Sequence, residues 1–332
     1  MSNKTTVFVS GATGFIGRSL CYKLAESGCQ VNALCRDLDH PYLLKHDNIR
    51  FFSGDILDEP SLMAAMKGCR QVYHTAAMAK MWCRNNEEFY NVNVNGTTNV
   101  IRAAIALNVD KIVYTSTCGV LGPTVKHPMD EQAPRVGGFP ITYERTKFLA
   151  ELVVNSFVKQ GVNIVTVNPS RVFGAGPITD SNTVSKMIKG YLQGTWRIIP
   201  GKGDKVANYA FLDDVVDGHM AAMDHGLSGQ RYILGGEDIS FNQFFDTLYT
   251  LTGKYHKMFR VPQKLIKAYS QAEWLKSRLT GIPPVFLPEF ADRLKYDQKY
   301  SSAKAIEQLR YRITPFAQGM AKTISSVQNQ LS

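Results

Sequence analysis

The sequence predicts an α/β fold, a doubly wound parallel sheet followed by a smaller, mainly helical C-terminal lobe. Three observations carry that expectation. Over the first half, short β-branched runs alternate with longer helix-like segments, the pattern of parallel strands joined by crossover helices. The first run, TVFVS, enters a glycine-cornered turn, GATGFIG, that leads straight into a helical pattern. Beyond about residue 170 the alternation loosens into loops such as FGAGPITDSN and into helix-like pieces.

In order, strands are expected at 6–10 (TVFVS), 30–35 (QVNALC), 50–54 (RFFSG), 71–77 (QVYHTAA), 111–116 (KIVYTS) and 163–168 (NIVTVN). Helices fill the gaps. One starts at Asp58 as N-cap with Pro60 in its first turn and ends at Gly68. Another runs from Tyr143 to Gly161, with Phe148, Leu149, Leu152, Val153 and Phe157 recurring as an amphipathic stripe, while Tyr143, Lys147, Ala150, Glu151 and Val154 share a different face. Later helices are expected at 181–193, 213–225, 240–252 and 262–280, and no repeat or low-complexity tract interrupts them.

With 332 residues, 44% hydrophobic and 20% charged, the chain can bury a substantial core. The N-terminal MSNKTTVFVSG lacks the features of a secretory signal, and no run reaches the roughly 18 apolar residues a spanning helix needs. A cytoplasmic protein without an integral membrane segment is the expectation. Six cysteines, all within the first 118 residues, show neither C-x-x-C nor zinc spacing, so reduced structural thiols and no metal centre are expected. The formal charge of +10 draws anionic ligands, but no basic run with interleaved aromatics points to nucleic acid.

The turn after the first strand sets Gly11, Gly14 and Gly17 in a G-x-x-G-x-x-G spacing before a helix. Glycines there permit a tight turn, close backbone approach to a pyrophosphate, and close packing of helix on strand, while the helix N-terminus offers free N–H groups. A Rossmann-type dinucleotide-binding domain over 1–175 is expected, with 176–332 forming mainly a substrate-binding lobe whose later strands return to the first sheet. At the end of the second strand Arg36 precedes Asp37. Arginine there accommodates a 2′-phosphate and an acid holds a 2′-hydroxyl, so NADP is the expected cofactor and NAD the second choice. Asp55 and Ile56 stand where adenine could be held, and Ala76 and Ala77 are small enough to let backbone approach a dinucleotide.

Tyr143 and Lys147, in ITYERTKF, lie four residues apart on one helical face. Spacing alone is weak, since Tyr300 and Lys304 share it; there the intervening serines suggest only a helix start. The difference is context. The fifth strand ends in VYTSTCGVLG, and strand ends on that edge of a parallel sheet bind ligands, which puts Ser116 and Thr117 on the cofactor's side. A hydroxyl there can hold a substrate oxygen while Tyr143 passes it a proton, and Lys147 can favour the tyrosinate as a nearby cation.

Taken in order, GATGFIG, DIL, TAA, NVNVNGTTN, TSTCGVLG, YERTK and NPSRVFG resemble the extended short-chain dehydrogenase/reductase (NAD(P)-dependent epimerase/dehydratase) superfamily over nearly the whole chain. MAKMWCRNNEEFYNVNVNGT, RYILGGEDIS and KYSSAKAIEQLRYRITP are most similar to its dihydroflavonol 4-reductase-like group, which includes hopanoid-associated sugar epimerase relatives. The resemblance implies Tyr143 as acid/base, Lys147 also holding the nicotinamide ribose, and Asn93 ordering the site. It implies a cofactor loop of Gly11, Thr13, Gly14, Phe15, Ile16 and Gly17, with Pro169 and Ser170 packing against the nicotinamide end. The family's Ser/Thr position falls on Thr117, with Ser116 beside it as the alternative. The implied activity is an NADP-dependent oxidoreductase acting on a carbonyl or alcohol. The alternatives are a nucleotide-sugar epimerase/dehydratase with tightly held NAD(P), and a dinucleotide sensor without catalysis.

The substrate is a small molecule expected between the sheet edge and the helical lobe, against Met78, Lys80, Met81, Trp82 and PITDSNTV. A Met-Trp pair suits an apolar or ring-shaped ligand, or simple lobe packing. The stretch 262–280, with Leu265, Ile266, Tyr269, Trp274, Leu275 and Leu279 beside Lys264, Lys267 and Lys276, is expected to pack in the core of the second lobe; pocket lining and peripheral membrane contact are its alternatives. The resemblance implies a homodimer through paired helices, with a monomer as the alternative.

Overall fold

The computed structural model describes residues 5–80, 82–124, 126–179, 182–284 and 286–331. Its strands are β1 (Thr6–Ser10), β2 (Gln30–Cys35), β3 (Ile49–Ser53), β4 (Gln71–His74), β5 (Lys111–Thr115), β6 (Ile164–Pro169), β7 (Arg171–Phe173), β8 (Ile198–Pro200), β9 (Val206–Phe211), β10 (Arg231–Leu234), β11 (Glu237–Ser240) and β12 (Phe259–Val261). The helices are α1 (Phe15–Glu26), α2 (Glu59–Met66), α3 (Glu87–Tyr90), α4 (Gly96–Ala106), α5 (Thr142–Lys159), α6 (Thr183–Leu192), α7 (Leu212–His225), α8 (Phe241–Thr252), α9 (Gln263–Thr280), α10 (Pro288–Arg293), α11 (Ala303–Leu309) and α12 (Phe316–Asn329), with a π-helical turn at Asn91–Asn95 between α3 and α4.

Seven strands form one parallel sheet in the order β10-β6-β5-β4-β1-β2-β3. The chain winds outward from β1 in both directions, so a crevice opens where β1 and β4 diverge at their carboxyl ends. Side chains alternate between two cores. Val7 and Val9 face α1 and α7, and Phe8 faces the layer of α2, α4 and α5. A third, aromatic-rich core of Phe173, Tyr209, Phe211, Phe244 and Phe316 joins the small sheet β11-β9-β7 to α6, α8 and α12.

The doubly wound α/β architecture stands as expected, and the Asp58 cap accepts from the Ser61 N–H with Pro60 in the first turn. Three details differ from the sequence reading. β4 stops at His74 rather than residue 77, because β1 ends at Ser10 and its chain turns away at Gly11, leaving residues 75–77 no ladder to join. Of the later strands, which are expected to return to the first sheet, β10 pairs with β6 and closes its edge.

On α5 the buried residues are Glu144, Thr146, Lys147, Ala150, Glu151 and Val154, whereas Leu152 is 50% exposed. The apolar stripe is thus only partly covered, with Phe148 and Phe157 packed at the margins of the core and Leu152 exposed, while the face of Glu144, Lys147 and Glu151 turns inward. The core packing expected of 262–280 is overturned: in α9 only Ser270 and Ser277 are buried, and Leu265, Tyr269, Leu275 and Leu279 are exposed. No helix among the described residues is long and apolar enough to cross a membrane.

Candidate active site

The crevice is a cavity of about 330 Å³ whose wall includes Gly11, Gly14, Phe15, Ile16 and Gly17 on one side and Ser116, Thr117, Tyr143, Pro169 and Ser170 on the other. Gly11 has φ +76°, and a Cβ there would meet the Ala76 backbone nitrogen at 2.7 Å. A Cβ on Gly17 would stand 2.2 Å from the Gly11 carbonyl oxygen and 2.5 Å from Thr75 Oγ1. The loop thus lies flat on the chain leaving β4, and α1 begins directly at its end, with Gly14 as N-cap and no acidic side chain in the first turn. Free N–H groups and the positive end of the helix dipole point at the crevice, the environment a pyrophosphate requires. Ser116 Oγ and Ser170 Oγ are buried in the same wall without a hydrogen-bond partner among the described residues. Both are polar atoms awaiting a ligand, so the residues present fit a dinucleotide.

Ala77 also lines the cavity, and Thr13, Arg36, Asp55, Ile56 and Ala76 lie outside its wall. Arg36 is exposed just after β2, beside Asp37, whose carboxylate accepts from the Asp39 N–H at 2.9 Å. Asp55 accepts from the Leu57 N–H, and the Ile56 side chain packs in the core close against Gly96. Met81 is outside the described residues. Met78 is held through its backbone by Asn93, while Trp82 lines a second cavity.

Tyr143 sits in the first turn of α5 on the wall shared by both cavities. Burial, then the neighbouring Glu144 carboxylate, push its phenol up to about 12, while the Thr117 hydroxyl and the Arg293 guanidinium pull the other way. The Arg293 guanidinium reaches this neighbourhood on α10 from the far end of the chain. Lys147, one helical turn beyond Tyr143, is pushed down to about 7 by burial, with Glu151 opposing the shift. Its Nζ stands 4.3 Å from the centroid of the Tyr114 ring, whose π face compensates part of the lost hydration.

Both carboxylates on the buried face of α5 are paired. Glu151 accepts from Asn168 Nδ2 at 2.8 Å and pairs with Arg231 on β10. Glu144 pairs with Arg293 and lies 3.6 Å from Arg135. Asn93, buried in the π-helical turn, accepts from the Met78 N–H at 2.7 Å and donates to the Met78 carbonyl at 3.3 Å and to Thr146 Oγ1 at 2.9 Å. It thereby fastens the loop after β4 to the residue preceding Lys147. Beneath it, His74 bonds Ser10 at 2.7 Å and Thr97 at 3.0 Å, and burial followed by the Lys147 charge holds its imidazole down to about 3. The ring is a neutral strut across the base of the site.

The second cavity, about 370 Å³, shares Ile141 and Tyr143 with the first and is walled by Trp82, Phe89, Trp274 and Leu287, with Arg84, Arg278 and Glu289 among them. Sequence reasoning missed Arg293, and it treated Tyr300 as a helix start. Tyr300 precedes α11, donates to the Gly122 carbonyl at 3.3 Å and lines the first cavity, whereas Lys304 turns away to Gln230. Neither Tyr300 nor Arg293 carried a local signal, because both reach the site from more than a hundred residues away in sequence.

A parallel sheet whose first crossover begins in a flat glycine loop, facing across one cavity a tyrosine and the hydroxyl-bearing Ser116 and Thr117, with a buried lysine one helical turn beyond the tyrosine, defines a nicotinamide-dinucleotide enzyme of the extended short-chain dehydrogenase/reductase type. Residues 7–235 match the NAD dependent epimerase/dehydratase family. A Synechocystis sp. protein provisionally named a dihydroflavonol 4-reductase is 31% identical, covering 97% of this chain and 94% of its own. A mouse sterol-4-alpha-carboxylate 3-dehydrogenase (decarboxylating) is 28% identical over 96% of this chain and 90% of its own. The fold of a UDP-glucose 4-epimerase from Thermotoga maritima, solved with UDP-glucose, superposes with a TM-score of 0.82 over 99% of this chain and 100% of that one, at 22% identity. The chain belongs to the NAD dependent epimerase/dehydratase family, whose enzymes depend on NAD(P).

Two outcomes are expected. Gly17→Ala, whose Cβ has no room beside the Gly11 carbonyl, weakens dinucleotide binding by at least about tenfold, read by calorimetric titration with NADP and NAD. Lys147 costs stability while protonated, because its folded value of about 7 lies below the ordinary 10.5. Between those values the unfolded chain binds the extra proton, so stability rises with pH. Lys147→Met should therefore be more stable than the parent below neutrality, and denaturant midpoints should show the gap narrowing as pH climbs from about 7 toward 10.5.

Proposed function

We propose that the chain is an NADP-dependent oxidoreductase that moves a hydride between the nicotinamide and the carbonyl or alcohol carbon of a ketone-type substrate, as in the dihydroflavonol 4-reductase-like group. The observation that carries this reading is the Tyr143 phenol on the partition between two cavities. One holds the glycine loop and the other an aromatic wall of Trp82, Phe89 and Trp274. Residues 1–175 mainly hold the cofactor and 176–332 mainly shape the substrate side.

When bound, the dinucleotide supplies the hydride at nicotinamide C4. Tyr143, protonated at neutral pH with its phenol at about 12, is in the form that donates to a carbonyl oxygen, which favours the reducing direction. Thr117, in contact with Tyr143, orients the same oxygen, and Ser116, with its unpartnered Oγ, is a second donor beside it. Lys147 holds the nicotinamide ribose. Asn93 is a positioning residue, acting through Met78 and Thr146. Arg36, exposed at the end of β2, favours NADP through a 2′-phosphate.

The aromatic wall and the sterol named for the mouse relative support a ring-bearing or otherwise apolar alcohol or ketone. Arg84 and Arg278 in the same wall favour a second reading, a nucleotide-sugar epimerase/dehydratase with retained NAD(P), since guanidinium groups suit a diphosphate. Leu152, half exposed on α5, supports the homodimer through paired helices.

Mass spectrometry of any dinucleotide retained on purification, with a screen of ketones, flavanonols and nucleotide sugars, separates the readings. Net loss of NADPH absorbance with a ketone is expected; sugar turnover without net cofactor change would favour the epimerase. Tyr143→Phe should lower kcat by about 10²–10⁴-fold while dinucleotide affinity holds. In the parent, alcohol oxidation should accelerate with rising pH as tyrosinate forms, whereas ketone reduction stays level through neutrality.

A further inference from the structure

We infer that α9 is an interfacial helix that seats the protein on an anionic phospholipid surface. Leu265, Ala268, Tyr269, Ala272, Leu275 and Leu279 recur at the helical period on the side opposite Ser270 and Ser277, which are the buried positions of this helix. The arrangement inverts an ordinary amphipathic surface helix. Small hydroxyls face the protein, donating to their own helix's carbonyls at Lys267 and Trp274, and the leucines face out. Leu265, Tyr269, Leu275 and Leu279 are 61%, 52%, 56% and 81% exposed, and Ile282 follows at 57% beyond the terminal Gly281. From Leu265 to Leu279 the stripe runs about 21 Å at 1.5 Å per residue, longer than scattered surface leucines explain.

Charge selects the occupant. Lys264 and Arg278, the latter stacked on Trp274 at the cavity edge, flank one side of the stripe, and Lys276, 3.5 Å from Glu273, lies along it in line with Tyr269; all three are exposed, on a chain with 38 Lys and Arg against 28 Asp and Glu. Apolar residues bordered by cations match the boundary between acyl chains and anionic headgroups, and Tyr269 suits that depth. A second copy docked through the same stripe about a two-fold axis would bring lysine-rich flanks together, which like charges oppose. The helix is too polar to span, so it lies in the interface plane. Its inner side carries Trp274, Ser277 and Arg278 into the wall of the second cavity, so the lipid-facing and cavity-facing sides belong to one rigid element.

The experiment is sedimentation of the full chain with phosphatidylcholine vesicles, with and without phosphatidylglycerol, across a salt series. Binding to the phosphatidylglycerol vesicles, weakening with salt, is expected. Leu275→Gln/Leu279→Gln, both outside the cavity wall, should weaken it by about tenfold or more while melting temperature and dinucleotide binding stay unchanged. Lys264→Gln/Lys276→Gln should reduce the preference for the anionic vesicles. The inference is overturned by no sedimentation with phosphatidylglycerol, by equal binding to both compositions, by undiminished binding of the leucine variant, or by a lipid-free dimer that the leucine variant splits in light scattering.

Discussion

Lys147 is a lysine taken out of water at the carboxyl edge of a parallel sheet, and much of the molecule is arranged around that fact. Burying an ammonium is costly unless its surroundings compensate, and here burial has already brought it down to about 7. The Tyr114 ring and the Glu151 carboxylate supply the compensation from β5 and from one helical turn below. Glu151 in turn needs Arg231 and Asn168, which couples the chemistry of α5 to the edge strand β10 and to β6. The closing strand of the sheet is thus also an electrostatic support for its centre.

A second ion cluster repeats the logic at the mouth of the site. Glu144, next to Tyr143, is shared by Arg135 from the loop before α5 and Arg293 from α10. Removing one partner from such a buried group leaves an uncompensated charge, so the loop, the helix start and the second lobe are held as a unit. Arg293 also draws the Tyr143 phenol downward, so the C-terminal lobe contributes to the electrostatics at that hydroxyl. The neutral struts His74 and Asn93 complete the frame without adding charge of their own.

The inward charges of α5 and the outward leucines of α9 are two departures from one rule. Helices ordinarily bury their apolar stripe. In α5 the polar face turns inward where Glu144 and Glu151 find partners in the second lobe and the sheet, while Leu152 of the apolar stripe is left exposed. In α9 the buried positions are two serines, with Lys267 paired to Asp292 of α10 beside them, and the apolar face is turned to the surroundings. One inversion builds the interior of the site and the other shapes the exterior.

Sequence by itself determined the parallel α/β class, the first six strands to within a few residues, the Asp58 cap and the glycine loop, because these rest on short-range rules of period, capping and steric room at Gly11 and Gly17. It also brought Tyr143, Thr117, Ser116, Pro169 and Ser170 to one wall, since strand ends of one sheet edge converge by topology. Periodicity reports which residues share a face, but not which face turns inward. That choice was made by partners distant in the chain: Arg231 lies 80 residues from Glu151, and Arg293 lies 149 residues from Glu144. Only the tertiary structure could decide it, because the energy of a buried charge depends on what surrounds it in space rather than on its neighbours in sequence.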